Sequence, residues 1–445
     1  MTHSTKRKWP TSSRCTRGWR ESTERTRENG PDGVDTLPIA VIDVPGAPAG
    51  CRGTLVERAR WEWRPADGGD PAATAQEFLA AHGLPLDDLG RPAPGHDPAG
   101  PCGAALYVSA AAGALLAGAP PGAANPAPAL PEVAVVVYGH ADQPAPPARP
   151  AAGRWWLGDW AESWRPAEHA AAVRAVREAI GRGDVYQVSV VGHAAARYAG
   201  DPLPALARLG ALPGARYGGT LTGAGWAIGC ASPETLIELT DGRLVTRPIK
   251  GTRPATAIGR RELLASAKER AEHVMIVDLE RNDLARVART GSVRVDELFA
   301  VRRWCDLWQA ESTVSARVGD GLGLADLLRA VCPGGSVTGA PKRAALEQVA
   351  ALEPVGRGAS MGGLGWVAPG RIDLGLTIRT AAADAERLHV WAGGGITWGS
   401  EPWAEVAEAA AKTVPVRAAL AGHAATGVNG SAAGSGAPTG AGTRR

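Results

Sequence analysis

The run Pro248-Ile249-Lys250-Gly251-Thr252-Arg253-Pro254 puts a lysine and a glycine beside an alternating segment, Leu244-Val245-Thr246. The alternation predicts a strand. Prolines cannot donate to a ladder, so Pro248 and Pro254 favour its margins. Gly251 permits positive φ or a close approach to a ligand. Lys250 can then project into a cleft, where desolvation disfavours its charged form. A neutral amine is a nucleophile. The competing reading is a strand-end lysine snorkelling to water. Glu234 follows Pro233 on a loop between predicted strands. It is a candidate general acid or base in a partly dry cleft and a solvated carboxylate otherwise.

Glu269 and Glu272 lie three apart in one predicted helix, and Glu405 and Glu408 three apart in another, with Lys412 one turn on. That spacing puts each pair on one helix face. If the helices face each other, the carboxylates converge into a set suited to a hard divalent cation, magnesium first. If not, they are two solvated acidic faces. Gly334-Gly335-Ser336-Val337-Thr338-Gly339-Ala340-Pro341-Lys342 leads into a helix, with Pro341 expected at its first position. It fails the phosphate-loop pattern, so no nucleotide site is expected. Gly393-Gly394-Gly395 follows a predicted strand and reads either as a carboxylate cradle or as a tight turn. Arg379, expected at a strand end, suits bidentate pairing with a carboxylate, though such an arginine can equally lie at the surface. The nine histidines form no cluster in the sequence, and no Ser/His/Asp set suggests itself.

Elements must position these groups. Helices are expected at 72–82, from Pro166 to the glycines Gly181 and Gly183, over 260–279, 322–331, 341–352 and 402–420. Strands are expected at 38–42, 104–108, 131–138, 184–191, 226–229, 235–239, 363–367, 374–379 and 388–391. Strands outnumber the helices between them, which predicts an α+β fold with antiparallel sheets. Residues 1–36 read as a disordered arm, 37–150 as an N-terminal part, 164–420 as the catalytic domain and 421–445 as a flexible tail, with a Pro-rich link at 143–150.

Composition narrows the class. The 445 residues are 44% hydrophobic with net charge +3, enough for a sizeable core and too balanced to argue for nucleic acid. No apolar run is long enough to cross a bilayer, and the basic, polar start lacks a signal-peptide core. The six cysteines have neither disulfide nor zinc spacing, so buried free thiols and a cytoplasmic protein are expected.

Together these motifs resemble the chorismate-utilising enzymes. The resemblance runs from 164 to 420 and takes in Gly183-Asp184-Val185-Tyr186-Gln187-Val188, Ser232-Pro233-Glu234, the lysine segment and Glu269-Arg270-Ala271-Glu272-His273-Val274-Met275-Ile276-Val277-Asp278-Leu279. It continues through Arg281-Asn282-Asp283, Pro333 to Lys342, Ile378-Arg379-Thr380 and Ala392-Gly393-Gly394-Gly395. It implies a two-lobed α+β body, with antiparallel sheets around a central cleft and helices outside. The implied substrate is chorismate, and the implied cofactor is Mg2+ on Glu272 and Glu408, supported by Glu269 and Glu405. Gly251, Thr252, Gln187, Trp366, Arg379, Gly393, Gly394, Gly395 and Lys412 would bind substrate.

Three positions sort the chain within the family. Water-adding members carry a lysine base where Gln187 stands, and an amide cannot deprotonate water. Anthranilate-forming members carry alanine where Lys250 stands. Lysine there resembles the branch that forms 4-amino-4-deoxychorismate for p-aminobenzoate and folate, with Lys250 as nucleophile and Glu234 as proton donor. Gln309 replaces a histidine tied to pyruvate elimination, and Trp366 takes a place often held by tyrosine. No glutaminase set accompanies Cys102, so a separate glutamine amidotransferase is the expected ammonia source. The alternatives are an anthranilate synthase large subunit and a non-catalytic paralogue that binds a glutaminase.

Overall fold

The structure is a computed structural model, which describes residues 55–92, 100–140, 155–304 and 307–422. The strand expected at 38–42, the arm at 1–36, the link at 143–150 and the tail beyond 422 lie outside the described residues.

Two antiparallel sheets form the body. The first has ten strands. Its order is Leu55–Trp63, Val133–His140, Pro101–Val108, Gly363–Ala368, Arg371–Leu376, Thr235–Thr240, Arg243–Arg247, Leu307–Arg317 and Ile249–Pro254, and Arg294–Trp304 also pairs with Leu307–Arg317. The second has eight strands. Its order is Gly339–Ala340, Gln187–Ala199, Arg387–Ile396, Thr380–Ala383, Trp226–Ser232 and Tyr217–Gly223, with Trp156–Leu157 and Ala161–Glu162 also on Gln187–Ala199. The strands from the first 140 residues therefore complete a sheet begun by the C-terminal half. One core joins the sheets: Leu106, Ile237 and Leu374 of the first sheet with Val191, Ile228 and Trp391 of the second. This is the expected α+β architecture, with helices on the outside.

Two of the chain's passages between the sheets are short and adjacent. Trp226–Ser232 belongs to the second sheet and Thr235–Thr240 to the first, so Pro233 and Glu234 form one crossing. Arg371–Leu376 and Thr380–Ala383 make the return crossing through 377–379. The crossings are tied together: Leu376 N donates to Glu234 O at 3.0 Å and Ala231 N to Arg379 O at 3.2 Å. Arg379 thus ends no strand. It sits in the return crossing with φ 50°, a left-handed conformation.

Other expectations need correction. The helix expected over 260–279 is two helices, Ala257–Ala265 and Ala267–Ala285, meeting at an extended Ser266. Ser266 Oγ accepts from Glu269 N and caps the second helix. Gly393, Gly394 and Gly395 make no turn. They continue the strand Arg387–Ile396, opposite Val191, Val190 and Ser189. The strand expected at 184–191 begins at Gln187 and extends to Ala199. Pro341 precedes the helix Lys342–Leu352 as its N-cap.

Candidate active site

Lys250 lies on the edge strand Ile249–Pro254, opposite Ala310, while Thr252 lies opposite Gln309. Gly251 is the extra residue between them, at φ 76°. It forms a bulge, and a bulge re-aims the side chains beside it. A Cβ on Gly251 would sit 2.8 Å from Leu263 Cδ1 and 2.9 Å from Glu269 Oε2, so a side chain here would strain the left-handed backbone and push those two side chains aside. The half-buried Lys250 Nζ donates to Ser336 O at 3.2 Å. Burial pulls the amine below the usual lysine range; Glu234, Glu272 and Glu408 oppose this and Lys412 adds to it.

Glu234 is buried at 6% exposure in the first sheet crossing. Its Oε1 accepts from Ser336 Oγ at 2.6 Å. Burial raises its carboxyl above the usual range, against the opposing pull of the Ser336 hydroxyl and Lys250. The two groups therefore move towards each other: the acid holds its proton longer and the amine sheds its own sooner. Shared burial of this kind can set an acid and a nucleophile side by side. Burial penalises both members of a charged pair, which favours the neutral carboxylic acid and neutral amine.

The acidic pairs come from two helix starts. Glu269 is in the first turn of Ala267–Ala285 and Glu405 in the first turn of Pro402–Ala421, where helix dipoles favour carboxylates. Burial raises Glu272, with Lys268 and Lys250 opposing and Glu269 and Glu405 reinforcing. This mutual repulsion brings three of the expected ligands into one field. Burial also acts to raise Glu408, but Lys412, 2.8 Å away, holds it below the usual range. Lys412 Nζ also donates to Gly393 O at 2.8 Å. The glycine strand makes room here. A Cβ on Gly394 would lie 3.1 Å from Glu405 Oε2, and one on Gly395 2.7 Å from Gln187 Nε2.

Among the buried side chains whose polar atoms lack a hydrogen-bond partner among the described residues are Gln187 (both amide atoms), His273 (both ring nitrogens) and Gln309 (Oε1); Tyr138 Oη and Trp366 Nε1, in the first sheet, are others. Gln187 faces the glycine strand, His273 follows Glu272, and Gln309 lies across the ladder from Thr252. Orphaned buried polar groups need an explanation, and a polar ligand supplies one. Thr252 is exposed and Arg379 half-buried in its crossing. Trp366 does not join them. It is 1% exposed, and its ring stacks on Tyr138 and covers Gly103, on strands that hold none of the other expected site residues. Its expected substrate contact is corrected to a core position.

Residues 115–418 match the family described as chorismate binding enzyme. The chain belongs to this family. Among curated relatives, aminodeoxychorismate synthase component 1 of Salmonella typhimurium is 41% identical over 256 residues, 56% of this chain and 56% of that protein. Anthranilate synthase component 1 of Streptomyces coelicolor is 39% identical over 258 residues, covering 56% and 50%. The matches thus span about half the length of these relatives. In fold, the chain is similar to a crystal structure of anthranilate synthase component I from Streptococcus pneumoniae, with TM-score 0.67, 23% identity and coverage of 88% and 96%.

Members of such a family invite a test of the metal expectation. The four carboxylates offer only oxygen donors, which suits a hard cation; burial is the first cause of the raised Glu272 carboxyl, and Lys268 and Lys250 outweigh the repulsion from Glu269 and Glu405. As placed, Lys268 pairs with Glu272 at 3.7 Å and Arg253 with Glu269 at 3.3 Å. Among the described residues, no group of three His, Cys, Asp or Glu side chains already stands at ion-holding distance. The donor chemistry fits magnesium, while side-chain cations occupy the carboxylates in this arrangement.

The sequence reading missed two groupings. Ser336 lies inside the Gly334-to-Lys342 run, where no local signal singles it out. Two of the nine histidines do meet: Ser163 Oγ, His193, His389 and Asp384 form a chain of contacts at 2.5, 3.1 and 3.0 Å. No local spacing signals a link between residues this distant in sequence.

Proposed function

We propose that this chain converts chorismate and ammonia to 4-amino-4-deoxychorismate. The observation that carries the reading is the Lys250 amine and the Glu234 carboxyl, held by one serine and shifted in opposite directions. The neutral amine attacks ring carbon 2 as the hydroxyl on carbon 4 departs. Glu234 gives that hydroxyl its proton, so it leaves as water. Ammonia then bonds to carbon 4, and the carbon 2–nitrogen bond to Lys250 breaks, restoring the amine. Gln187 and Gln309 offer amide groups to substrate but cannot act as bases near neutral pH. Arg379, Thr252 and the glycine strand are the expected contacts for the substrate carboxylates.

Glu272 and Glu408, with Glu269 and Glu405, would hold Mg2+, which supplies positive charge for the ring carboxylate when bound. A separate glutamine amidotransferase is the proposed ammonia source. The component 1 names of the relatives support a partner subunit. Among the described residues, no helix is long and apolar enough to cross a membrane.

The anthranilate-forming relatives match at nearly the same identity, so product identity decides. The pure chain is incubated with chorismate, ammonium and Mg2+, and products are identified by mass. 4-Amino-4-deoxychorismate is expected. Anthranilate or isochorismate as the main product overturns the reading. With EDTA in excess, product formation is expected to stop and to return on adding magnesium.

A further inference from the structure

Ser336 touches both groups assigned to the chemistry, through different atoms. Its hydroxyl donates to Glu234 Oε1 at 2.6 Å, and its carbonyl accepts from Lys250 Nζ at 3.2 Å. The residue is 6% exposed and lies in the single turn Gly335–Val337. That turn is clamped on every side. Arg357 Nη1 donates to Val337 O at 2.8 Å, Ser189 N to Thr338 O at 2.7 Å, and Thr338 Oγ1 to Gly334 O at 2.7 Å. A Cβ on Gly334 would lie 2.8 Å from Leu376 Cδ2, and one on Gly335 2.6 Å from Leu279 Cδ2. The two glycines are thus pressed against neighbours, and the backbone at Ser336 has little room to move. A rigid turn that presents one hydroxyl and one carbonyl to two reactive groups is a positioning device.

We propose that Ser336 is the positioning residue that fixes the acid and the nucleophile relative to each other, its hydroxyl aiming the Glu234 carboxyl while its carbonyl aims the Lys250 amine. This rests on the reading of Glu234 as acid and Lys250 as nucleophile. The hydroxyl also sets how strongly Glu234 keeps its proton, because a hydrogen bond donated to a carboxylate favours the ionised form. The other charged groups facing Glu234 are Lys250 on the edge strand, Glu311 on Leu307–Arg317 and Glu280 on Ala267–Ala285. A side-chain change at Ser336 removes none of these charges and leaves its own carbonyl, which Lys250 Nζ contacts, in the backbone.

The test uses Ser336→Ala, Ser336→Cys and Ser336→Thr in the full chain. Glutamate is labelled with 13C at the carboxyl, and the Glu234 signal is assigned by its loss in Glu234→Gln. Ser336→Ala should move the Glu234 titration midpoint up by about one pH unit. Ser336→Cys, a weaker donor, should move it in the same direction, and Ser336→Thr should leave it near the parent value. In turnover with chorismate and ammonium, Ser336→Ala should lower kcat at least about tenfold with KM changed less than about twofold. Its alkaline limb should move up with the midpoint, and Ser336→Thr should restore the rate. An unchanged midpoint in the alanine and cysteine proteins overturns the proposal, as does a threonine protein as impaired as the alanine one. A parent chain that makes no 4-amino-4-deoxychorismate sinks the functional reading instead, and the titration still decides the role of the serine.

Discussion

A lysine and a glutamate sharing one serine define this molecule at the scale of residues. In the proposed reaction the amine must be neutral to attack and the carboxyl protonated to donate. The rate should therefore fall on the acid side as Lys250 gains its proton, and on the alkaline side as Glu234 loses its own. Because burial raises Glu234, the alkaline fall should come later than for an ordinary carboxylate. Glu234→Gln cannot donate a proton. We expect it to lower kcat by about a hundred- to ten-thousandfold and to abolish the alkaline limb assigned to Glu234 in a pH–rate series. Lys250→Ala should lose most turnover while its circular dichroism matches the parent, and full activity would remove the covalent route. Both residues stand out in the sequence as candidates, because a glycine after a strand lysine and a proline before a loop carboxylate are local signals, and the structure places the two against the same serine. Trp366 misled because its strand, Gly363–Ala368, is buried throughout. Alternation of polar and apolar residues could not show which way the ring points.

At the scale of elements, small irregularities aim the site. The Gly251 bulge turns Lys250 and opens space for Glu269. Gly251→Ala places a Cβ at φ 76° against Leu263 and Glu269. It should cost about 1–2 kcal/mol from the backbone conformation alone, seen as a lower urea midpoint, together with reduced turnover as Glu269 is displaced. An equally stable and active variant would show that the bulge is not required. The break at Ser266 was readable, since Ser266 followed three residues later by Glu269 is a helix-start pattern, but the apolar periodicity on either side masked it. The glycine strand was less legible. Glycine is poor in strands, and only pairing with 189–191 across the sheet keeps Gly393–Gly395 extended.

The chain from Ser163 through His193 and His389 to Asp384 belongs to this scale too, since it ties Gln187–Ala199 to Arg387–Ile396 and to the turn before it. Burial, with His389 beside it, lowers His193 to about 3. A histidine lowered on folding contributes stability that is present above its unfolded value of about 6.5 and is lost as pH falls towards the folded value. His193→Gln removes that proton linkage. Between pH 6.5 and 5 the parent should lose about 2 kcal/mol more than the variant in urea melts. Equal losses would mean that His193 does not govern acid sensitivity.

The whole molecule is two sheets between which the chain passes repeatedly, and Glu234 and Arg379 lie at two adjacent crossings. Neither crossing was visible in the sequence, because Ser232-Pro233-Glu234 and Ile378-Arg379-Thr380 read as ordinary strand margins until the sheets are assembled. The same scale bears on where the nitrogen comes from. Hydrolysing glutamine takes a reactive thiolate, and among the described residues Cys102, Cys230 and Cys332 are all buried. Burial raises the Cys230 thiol and pushes that of Cys332 up to about 12, so neither is ionised near neutral pH. The chain should therefore make product from chorismate with ammonium and none with glutamine. At fixed total ammonium the rate should rise with pH until the Glu234 limb takes over, because only the free amine adds to carbon. Supplying glutamine with an added glutaminase should restore product. Glutamine-dependent product from the chain alone, measured by mass with 15N in the amide, would place a glutaminase within it and remove the need for a partner.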